Sequence, residues 1–218
     1  MVHPIELIIF DSDGVLVDSE AIANRVMAEA ASAVGAVMDT YEAMALFRGR
    51  NIAFCVEEIE RRSGRVLDDG FISDLRRATR LAFDQELTAI EGVHEALDLI
   101  HQPYCVASNG PMDKLTHALG LTGLYARFEG RIFSAYEVGH WKPDPGLFLH
   151  AARTLGTDSA HCIVVEDSLA GVTAAKAAGM RVLGYAGEGA HAATALRAAG
   201  AEVFDHMQAL PGLVAQRV

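Results

Sequence analysis

Several apolar runs in this sequence stop abruptly at polar residues, and those polar residues are the ones best suited to chemistry. The run Leu7 to Phe10 is followed by Asp11 and Asp13, with Gly14 directly after them. Two later runs, at residues 104–107 and 162–165, stop in the same way. The polar residues that follow them are Ser108, Asn109, Glu166 and Asp167. If these positions meet in the fold, they place four carboxylates beside a hydroxyl and an amide.

Four carboxylates in one crevice would repel one another unless a cation joined them. Two unit charges about 4 Å apart repel by roughly 4 kcal/mol at an effective dielectric of about 20. The motifs contain oxygen ligands but no His or Cys, which favours a hard ion. Magnesium is the hard ion that habitually bridges carboxylates and a substrate phosphate. The sequence therefore predicts a Mg2+ cofactor.

Phosphoryl transfer is the chemistry that this set of residues can perform. Asp11, at the end of its run, can attack phosphorus and form an aspartyl-phosphate. Asp13 can protonate the leaving alkoxide and then deprotonate the water that hydrolyses the intermediate. Ser108 and Asn109 can hold phosphate oxygens together with nearby backbone N–H groups, and Lys142 supplies a positive charge. The predicted catalytic residues are therefore the two aspartates.

The elements that must position these residues alternate between strands and helices. Continuous apolar runs are typical of buried parallel strands, and five are predicted, at residues 7–10, 104–107, 162–165, 181–185 and 202–204. Helical spacing lies between them, at residues 92–101, 111–119, 145–155, 168–178 and 191–199. This order predicts an α/β fold with a Rossmann-like, doubly wound parallel sheet. Ligands of such a sheet bind beyond the carboxyl ends of the strands.

Residues 16–87 break that alternation, because they contain helical patterns and no convincing strand. The predicted helices are at residues 20–34, 41–47, 52–62 and 69–86. We interpret this segment as a smaller, all-helical domain inserted into a discontinuous core of residues 1–15 and 88–218. Short hinges near residues 16–18 and 86–92 would let such an insert move as a lid.

Composition and charge limit the possible partners. The formal net charge of −11 at pH 7 opposes binding to phosphate backbones and to anionic lipid, so we expect neither nucleic acid nor membrane partners. The amino terminus lacks the pattern of a signal peptide, and the three separated cysteines indicate neither a disulfide framework nor a zinc site. We expect a cytoplasmic protein, either a monomer or a small homo-oligomer. Its expected partner is a small phosphorylated metabolite.

Four ordered motifs carry a resemblance to a known family. The motifs are Asp11-x-Asp13-Gly14-Val15-Leu16-Val17-Asp18-Ser19, Ser108, Lys142-Pro143-Asp144-Pro145 and Glu166-Asp167-Ser168-x-x-Gly171. Together they resemble the motifs of the haloacid dehalogenase-like hydrolases, and the resemblance extends over nearly the whole chain. Because the dehalogenases that name this superfamily lack the second Asp, the presence of Asp13 argues against dehalogenation.

The resemblance implies a role for each motif residue. In the family the first Asp is the nucleophile and the second is the acid/base, which correspond here to Asp11 and Asp13. Ser108 and Lys142 would bind phosphate. The implied metal ligands are Asp11, the main-chain carbonyl of Asp13, Glu166 and Asp167. The inserted segment would be the helical cap of the family, which closes over the substrate and excludes water.

The residues that flank the motifs indicate the class of substrate. Residues 89–92, 106–111 and 141–145 are similar to those of phosphatases that act on sugar or sugar-acid phosphates such as 6-phosphogluconate. The insert is rich in arginine, and Arg48 and Arg50, on either side of Gly49, could contact a second anionic group. A phosphotransferase resembling β-phosphoglucomutase uses the same core and is the main alternative. A catalytically silent module that binds a phosphate ligand would require the loss of a catalytic residue, and none is missing.

Overall fold

Six strands form one sheet in the computed structural model, which describes residues 4–47, 50–187 and 189–215. The strands are β1 (Leu7–Phe10), β2 (Tyr104–Ser108), β3 (Ile132–Ser134), β4 (Cys162–Glu166), β5 (Arg181–Tyr185) and β6 (Glu202–Phe204). Every neighbouring pair is parallel, and the order across the sheet is β3-β2-β1-β4-β5-β6. The chain moves outward from β1 on one side and then crosses back to β4. This is the doubly wound, Rossmann-like order that the sequence predicts.

Helices connect these strands or make up the inserted segment. The insert contains α1 (Glu20–Ala33), α2 (Thr40–Phe47), α3 (Ile52–Ser63) and α4 (Asp69–Glu86). The other helices are α5 (Val93–Leu99), α6 (Met112–Leu121), α7 (Tyr125–Phe128), α8 (Ala135–Val138), α9 (Gly146–Thr154), α10 (Leu169–Ala177), α11 (Ala190–Ala198) and α12 (Leu210–Ala215). Two short 3-10 helices cover Ser159–His161 and Met207–Ala209. Within the described ranges, no helix is both long enough and apolar enough to cross a membrane.

The central strand β1 explains why the sequence pattern is a continuous apolar run. All four of its residues are fully buried. Because successive side chains of a strand point to opposite faces, this burial requires that both faces of the sheet be covered. On one face, α9, α10 and α11 pack against the sheet in a cluster that includes Leu7, Phe148, Val172 and Leu196.

The helical insert has an apolar core of its own. Ala31, Phe47 and Ile59 are buried within it, in a cluster drawn from α1, α2 and α3. Side chains cap helices of the insert: Asn51 accepts a hydrogen bond at the start of α3, for example, and Asp68 does so at the start of α4. The insert is thus a folded unit of helices.

The chain divides into two compact units whose boundary differs slightly from the prediction. The core is Met1–Val17 with Ala89–Val218, and the insert is Asp18–Thr88. The prediction ended the first core segment at residue 15. However, the main-chain N–H groups of Leu16 and Val17 donate to the Ser12 carbonyl, at 2.9 and 3.1 Å, within the turn that follows β1. These hydrogen bonds hold both residues in the core.

The predicted elements are present, with ends shifted by at most two residues. The five predicted strands correspond to β1, β2, β4, β5 and β6, and each predicted helix has its counterpart. The short strand β3 and the short helices α7, α8 and α12 were not predicted. The predictions failed only for elements of six residues or fewer.

Candidate active site

The turn after β1 places two carboxylates at the carboxyl edge of the sheet. Asp11 follows the strand directly, and its main-chain N–H donates to the Val165 carbonyl of β4 at 3.0 Å. The chain then turns tightly, because the N–H of Gly14 donates to the Val17 carbonyl at 2.9 Å and the φ angle of Gly14 is 74°. That conformation strains any residue with a Cβ, and a Cβ here would also overlap the Asp167 carboxylate. Gly14 therefore lets the two acidic turns approach each other.

The register of the sheet brings the ends of three strands to one level. Phe10 of β1 pairs with Val106 of β2 and with Val165 of β4. Three carboxylates at the ends of β1 and β4 could hold a metal ion, because their ligand oxygens all lie within 4.8 Å of one another. They are Asp11, Glu166 and Asp167. A donor set made only of carboxylate oxygens suits a hard divalent cation.

A buried lysine lies between two of these carboxylates. The Nζ atom of Lys142 is 2.9 Å from Asp11 Oδ1 and 2.7 Å from Glu166 Oε1, and only 3 % of the lysine side chain is exposed. Burial alone would lower the pKa of Lys142, but the two carboxylates outweigh burial and raise the pKa above its ordinary value. Lys142 therefore carries a fixed positive charge beside Asp11.

The electrostatics of Asp11 fit a bound cation. Burial raises the pKa of Asp11 to about 7; Lys142 opposes this shift, whereas the negative charges of Glu166 and Asp13 add to it. Asp11 would then be partly protonated near neutral pH, although a nucleophile must be ionised. A divalent cation among the three carboxylates would favour the ionised form. The residues present therefore fit the Mg2+ that the sequence predicts.

Protein groups hold the Glu166 carboxylate firmly in place. Its Oε1 accepts the hydrogen bond from Lys142, and its Oε2 accepts hydrogen bonds from the main-chain N–H and the hydroxyl of Ser168, both at 2.8 Å. The Ser168 hydroxyl in turn accepts from the N–H of Gly171 at 3.1 Å and caps α10. Both Glu166 oxygens are thus engaged by protein groups. Its role as a direct metal ligand stays a prediction.

Ser108 and Asn109, at the end of β2, have different surroundings. Ser108 is buried, and its hydroxyl accepts a hydrogen bond from the N–H of Gly110 at 3.1 Å. The Asn109 side chain pairs with the main chain of Lys142: Nδ2 donates to the carbonyl at 3.3 Å, and Oδ1 accepts from the N–H at 2.9 Å. Asn109 therefore helps to hold the main chain of Lys142 in place, and its role in binding phosphate stays a prediction.

Asp13 has a partner that the sequence pattern did not single out. Nζ of Lys114, in the first turn of α6, is 2.9 Å from Asp13 Oδ1 and 2.8 Å from Oδ2. The two residues are 101 positions apart, so no local motif joins them. The one available signal is that a cation is unfavourable in the first turn of a helix, which suggests that Lys114 has another partner.

Comparison with known proteins identifies the family. A model of the haloacid dehalogenase-like hydrolases matches residues 5–179, which contain all of the site motifs. The chain belongs to the haloacid dehalogenase-like hydrolases. This confirms the resemblance carried by the four motifs, and it agrees with the parallel sheet and its flanking helices.

Individual relatives of this haloacid dehalogenase-like hydrolase cover most of its length. The 6-phosphogluconate phosphatase of Escherichia coli (strain K12) is 38% identical over 180 residues, which are 82% of this chain and 81% of the relative. A haloacid dehalogenase-like protein of unknown function from Agrobacterium tumefaciens has a TM-score of 0.85 at 35% identity, covering 96% of this chain and 97% of that one. A hydrolase from Deinococcus radiodurans, solved with phosphate and sodium bound, has a TM-score of 0.76 at 30% identity, with the same coverage.

The two arginines predicted to contact substrate belong to the insert of this hydrolase. Arg48 lies outside the described residues. Arg50 is exposed, and its guanidinium carbon is 4.8 Å from the centre of the Phe54 ring, a cation–π contact within the insert. The role of either arginine in substrate binding stays a prediction.

Proposed function

We propose that this hydrolase is a Mg2+-dependent phosphatase that removes phosphate from a small sugar phosphate or sugar-acid phosphate. One observation carries the proposal: Lys142 Nζ lies 2.9 Å from Asp11 Oδ1, within a group of three carboxylates that could hold a metal. A nucleophile, a fixed cation and a metal-binding group therefore share one site. Similarity to the 6-phosphogluconate phosphatase of Escherichia coli supports the same class of reaction.

In the first step of the proposed mechanism, Asp11 takes the phosphoryl group. A bond forms between an Asp11 carboxylate oxygen and phosphorus while the bond from phosphorus to the substrate oxygen breaks. The proton of the Asp13 carboxyl group passes to that substrate oxygen, so the product leaves as an alcohol. Asp13 is left as a carboxylate, and Asp11 carries the phosphoryl group.

In the second step, water releases the phosphate and restores both aspartates. The water oxygen forms a bond to phosphorus, one water proton passes to the Asp13 carboxylate, and the bond between Asp11 and phosphorus breaks. Ser108 and Lys142 hold the phosphate oxygens in both steps. The products are inorganic phosphate and an alcohol.

The metal proposed for this site is Mg2+, held by Asp11, Asp167 and the main-chain carbonyl of Asp13. When bound, the ion neutralises phosphate oxygens and so allows an anionic carboxylate to approach phosphorus. Glu166 contributes negative charge and holds Lys142 at 2.7 Å. Lys142 supplies a second, fixed positive charge from the protein itself.

The proposed substrate is a phosphorylated sugar or sugar acid such as 6-phosphogluconate. The relative from Escherichia coli that is 38% identical is named for this substrate. The solved hydrolase from Deinococcus radiodurans contains bound phosphate, which is the second product of the proposed reaction. The arginines of the insert are the proposed contacts for a second anionic group on the substrate.

A phosphate-release screen over phosphorylated metabolites, with Mg2+ present, tests the proposal. We expect 6-phosphogluconate or another sugar-acid phosphate among the best substrates. With the best substrate of the wild-type enzyme, Asp11→Asn should lower kcat about 1,000-fold or more, because the nucleophile is lost. The matched control is Asp205→Asn, an aspartate whose side chain is 73% exposed, and it should retain full activity. Substantial turnover by Asp11→Asn would refute the mechanism.

The same screen separates hydrolysis from return of the phosphoryl group to a sugar. Glucose 1-phosphate is supplied with a bisphosphate primer, and both inorganic phosphate and glucose 6-phosphate are measured. Release of phosphate without isomerisation supports the phosphatase. Formation of glucose 6-phosphate with little release of phosphate would instead favour a β-phosphoglucomutase-like phosphotransferase.

A further inference from the structure

Lys114 makes an ion pair with Asp13 that the proposed mechanism does not use. Its ammonium group reaches both carboxylate oxygens, at 2.9 and 2.8 Å. Asp13 lies in the turn after β1, whereas Lys114 lies in the first turn of α6, and both belong to the core. The contact therefore ties the acid/base carboxyl group to an element other than the one that carries it.

The helix α6 does not itself favour a lysine at residue 114. The amino terminus of a helix carries a partial positive charge, which disfavours a cation in the first turn. Lysine is also rare in this chain, where it accounts for three of the eighteen basic residues. These lysines are Lys114, Lys142 and Lys176. Two of the three lie beside the proposed catalytic aspartates. The contact with Asp13 therefore explains why a lysine occurs at this place in the sequence, whereas the helix α6 by itself does not.

Stability does not explain the ion pair either. The side chains of Lys114 and Asp13 are 31% and 20% exposed, so water screens the attraction between them. An ion pair in such a setting contributes little to folding. Replacement of Lys114 should therefore leave the fold intact, which makes its effect on the reaction measurable.

The two lysines of the site lie beside different proposed catalytic aspartates. Lys142 Nζ lies between Asp11 and Glu166, and it is buried. Lys114 contacts Asp13 from a partly exposed position. The fixed charge beside the nucleophile is thus already supplied by Lys142, and Lys114 is directed at the acid/base residue.

We propose that Lys114 is a positioning residue for Asp13, an inference that rests on the proposed phosphatase function. Two torsions set the direction of an aspartate carboxyl group, and proton transfer requires one oxygen to face the leaving oxygen. One Asp13 oxygen keeps the hydrogen bond from Lys114 Nζ. The other gives its proton to the leaving alkoxide and later takes a proton from water. Lys114 thus acts through Asp13 and makes no bond to phosphorus or to the leaving oxygen.

A comparison of two leaving groups tests the proposal. An alkoxide needs a proton to leave, whereas 4-nitrophenolate leaves readily without one, so only the alkyl ester depends strongly on a well-placed general acid. The ratio kcat/KM reports the steps up to departure of the leaving group. Lys114→Met should lower kcat/KM about tenfold or more for the best alkyl phosphate of the screen. For 4-nitrophenyl phosphate the loss should be less than about threefold.

Three further variants keep the test specific. Lys114→Arg retains a cation that can reach a carboxylate and should recover part of the lost kcat/KM for the alkyl phosphate. Lys114→Gln, which also lacks the charge, should repeat the result of Lys114→Met. Lys176→Met removes an exposed lysine from α10 and should leave both substrates unaffected. All variants should unfold within about 3 °C of the wild type.

Two results would overturn the proposal. An equal loss with both substrates would assign Lys114 to phosphate binding or folding, because orientation of the general acid matters chiefly for the alkoxide. No loss with either substrate would show that Asp13 does not depend on Lys114. Failure of the phosphatase function itself would look different, since the wild-type enzyme would then hydrolyse neither ester.

Discussion

At the scale of single residues, the buried charges of the site depend on an uncharged side chain. Asn109 pairs with both main-chain groups of Lys142, and the Lys142 ammonium then reaches Asp11 and Glu166. Charges buried in this way are costly unless each remains beside its partner. Asn109 holds the lysine backbone where these pairings are possible, and we expect its effect on the reaction to come through Lys142.

Asn109→Ala should therefore affect both activity and stability. Loss of two hydrogen bonds, at about 1 kcal/mol each, should lower the free energy of unfolding by about 1 to 2 kcal/mol. We expect kcat to fall about tenfold, because a displaced Lys142 no longer faces Asp11 and phosphate correctly. Urea denaturation and steady-state phosphate release measure the two effects.

Asn51→Ala is the matched control for that prediction. Asn51 Oδ1 accepts a hydrogen bond from the N–H of Phe54 at 2.9 Å and caps α3 in the insert. Its loss should destabilise the chain by about 1 kcal/mol while leaving kcat unchanged. If Asn109→Ala behaved in the same way as this control, its contact with Lys142 would have no part in the reaction.

Residue types at strand ends could be predicted from the sequence, but their partners could not. Asp11, Ser108 and Glu166 directly follow or end apolar runs, so their places at the edge of the sheet follow from the strands alone. The contact between Lys114 and Asp13 joins residues 101 positions apart. It depends on where the first turn of α6 lies beside the turn after β1, which no local pattern encodes.

At the scale of elements, the buried central strands were the easiest to predict from the sequence. The buried strands β1, β2, β4 and β5 have four or five residues each and read as continuous apolar runs. Strand β3 has three residues, of which only Ser134 is buried. It forms at the edge of the sheet, where β2 supplies its hydrogen-bonding partner. An element that exists because of a distant neighbour has little local signal.

Close packing at the start of α10 depends on a residue without a side chain. Gly171 lies in the first turn of this helix, directly against Glu166 at the end of β4. A Cβ at this position would overlap the Glu166 carboxyl group. That carboxyl group is fully buried and holds both Lys142 and Ser168, so it has little room to move.

Replacement of Gly171 by alanine should consequently disturb the active site, although the residue lies in a helix. The added methyl group should displace Glu166, lower the free energy of unfolding by about 2 to 3 kcal/mol and reduce kcat. Urea denaturation and phosphate release check both effects. These losses would occur even though alanine is the better helix former of the two residues.

Gly120→Ala provides the contrasting case in α6. Gly120 lies within a helix, but no heavy atom beyond its own neighbourhood would lie within 4 Å of an added Cβ. Here we expect stabilisation by about 0.5 to 1 kcal/mol and unchanged kcat. If both variants gained stability, the contact between α10 and Glu166 would be looser than the structure indicates.

At the scale of the whole molecule, the alternation of strands and helices was sufficient to predict the fold class. The boundary of the insert was less predictable, since Leu16 and Val17 are held in the core by hydrogen bonds to Ser12. A turn of this kind is defined by its main-chain contacts, which apolar periodicity does not report. The predicted role of the insert as a lid over the substrate stays a prediction.

Thermal stability in the presence of Mg2+ provides a test of the metal site that does not depend on activity. A chain with a charge of −11 should gain some stability from any salt, because screening reduces repulsion between its carboxylates. A site-bound ion acts differently: at about 100 times its Kd it stabilises the folded state by about 2.7 kcal/mol. Mg2+ should thus raise the thermal midpoint of the wild type above its value in NaCl of equal ionic strength.

Two aspartate variants separate these effects. Asp167→Asn removes one carboxylate of the proposed metal site and should lose at least half of the increase in thermal midpoint, whereas the exposed Asp205→Asn changes the net charge equally and should keep the full increase. Scanning calorimetry with Mg2+ and with matched NaCl measures the difference. An equal increase in both variants would mean that Mg2+ stabilises the chain without the help of Asp167, which would then have to be removed from the proposed metal ligands. A full increase in Asp205→Asn alone would place the ion at the carboxylates that lie beside Asp11.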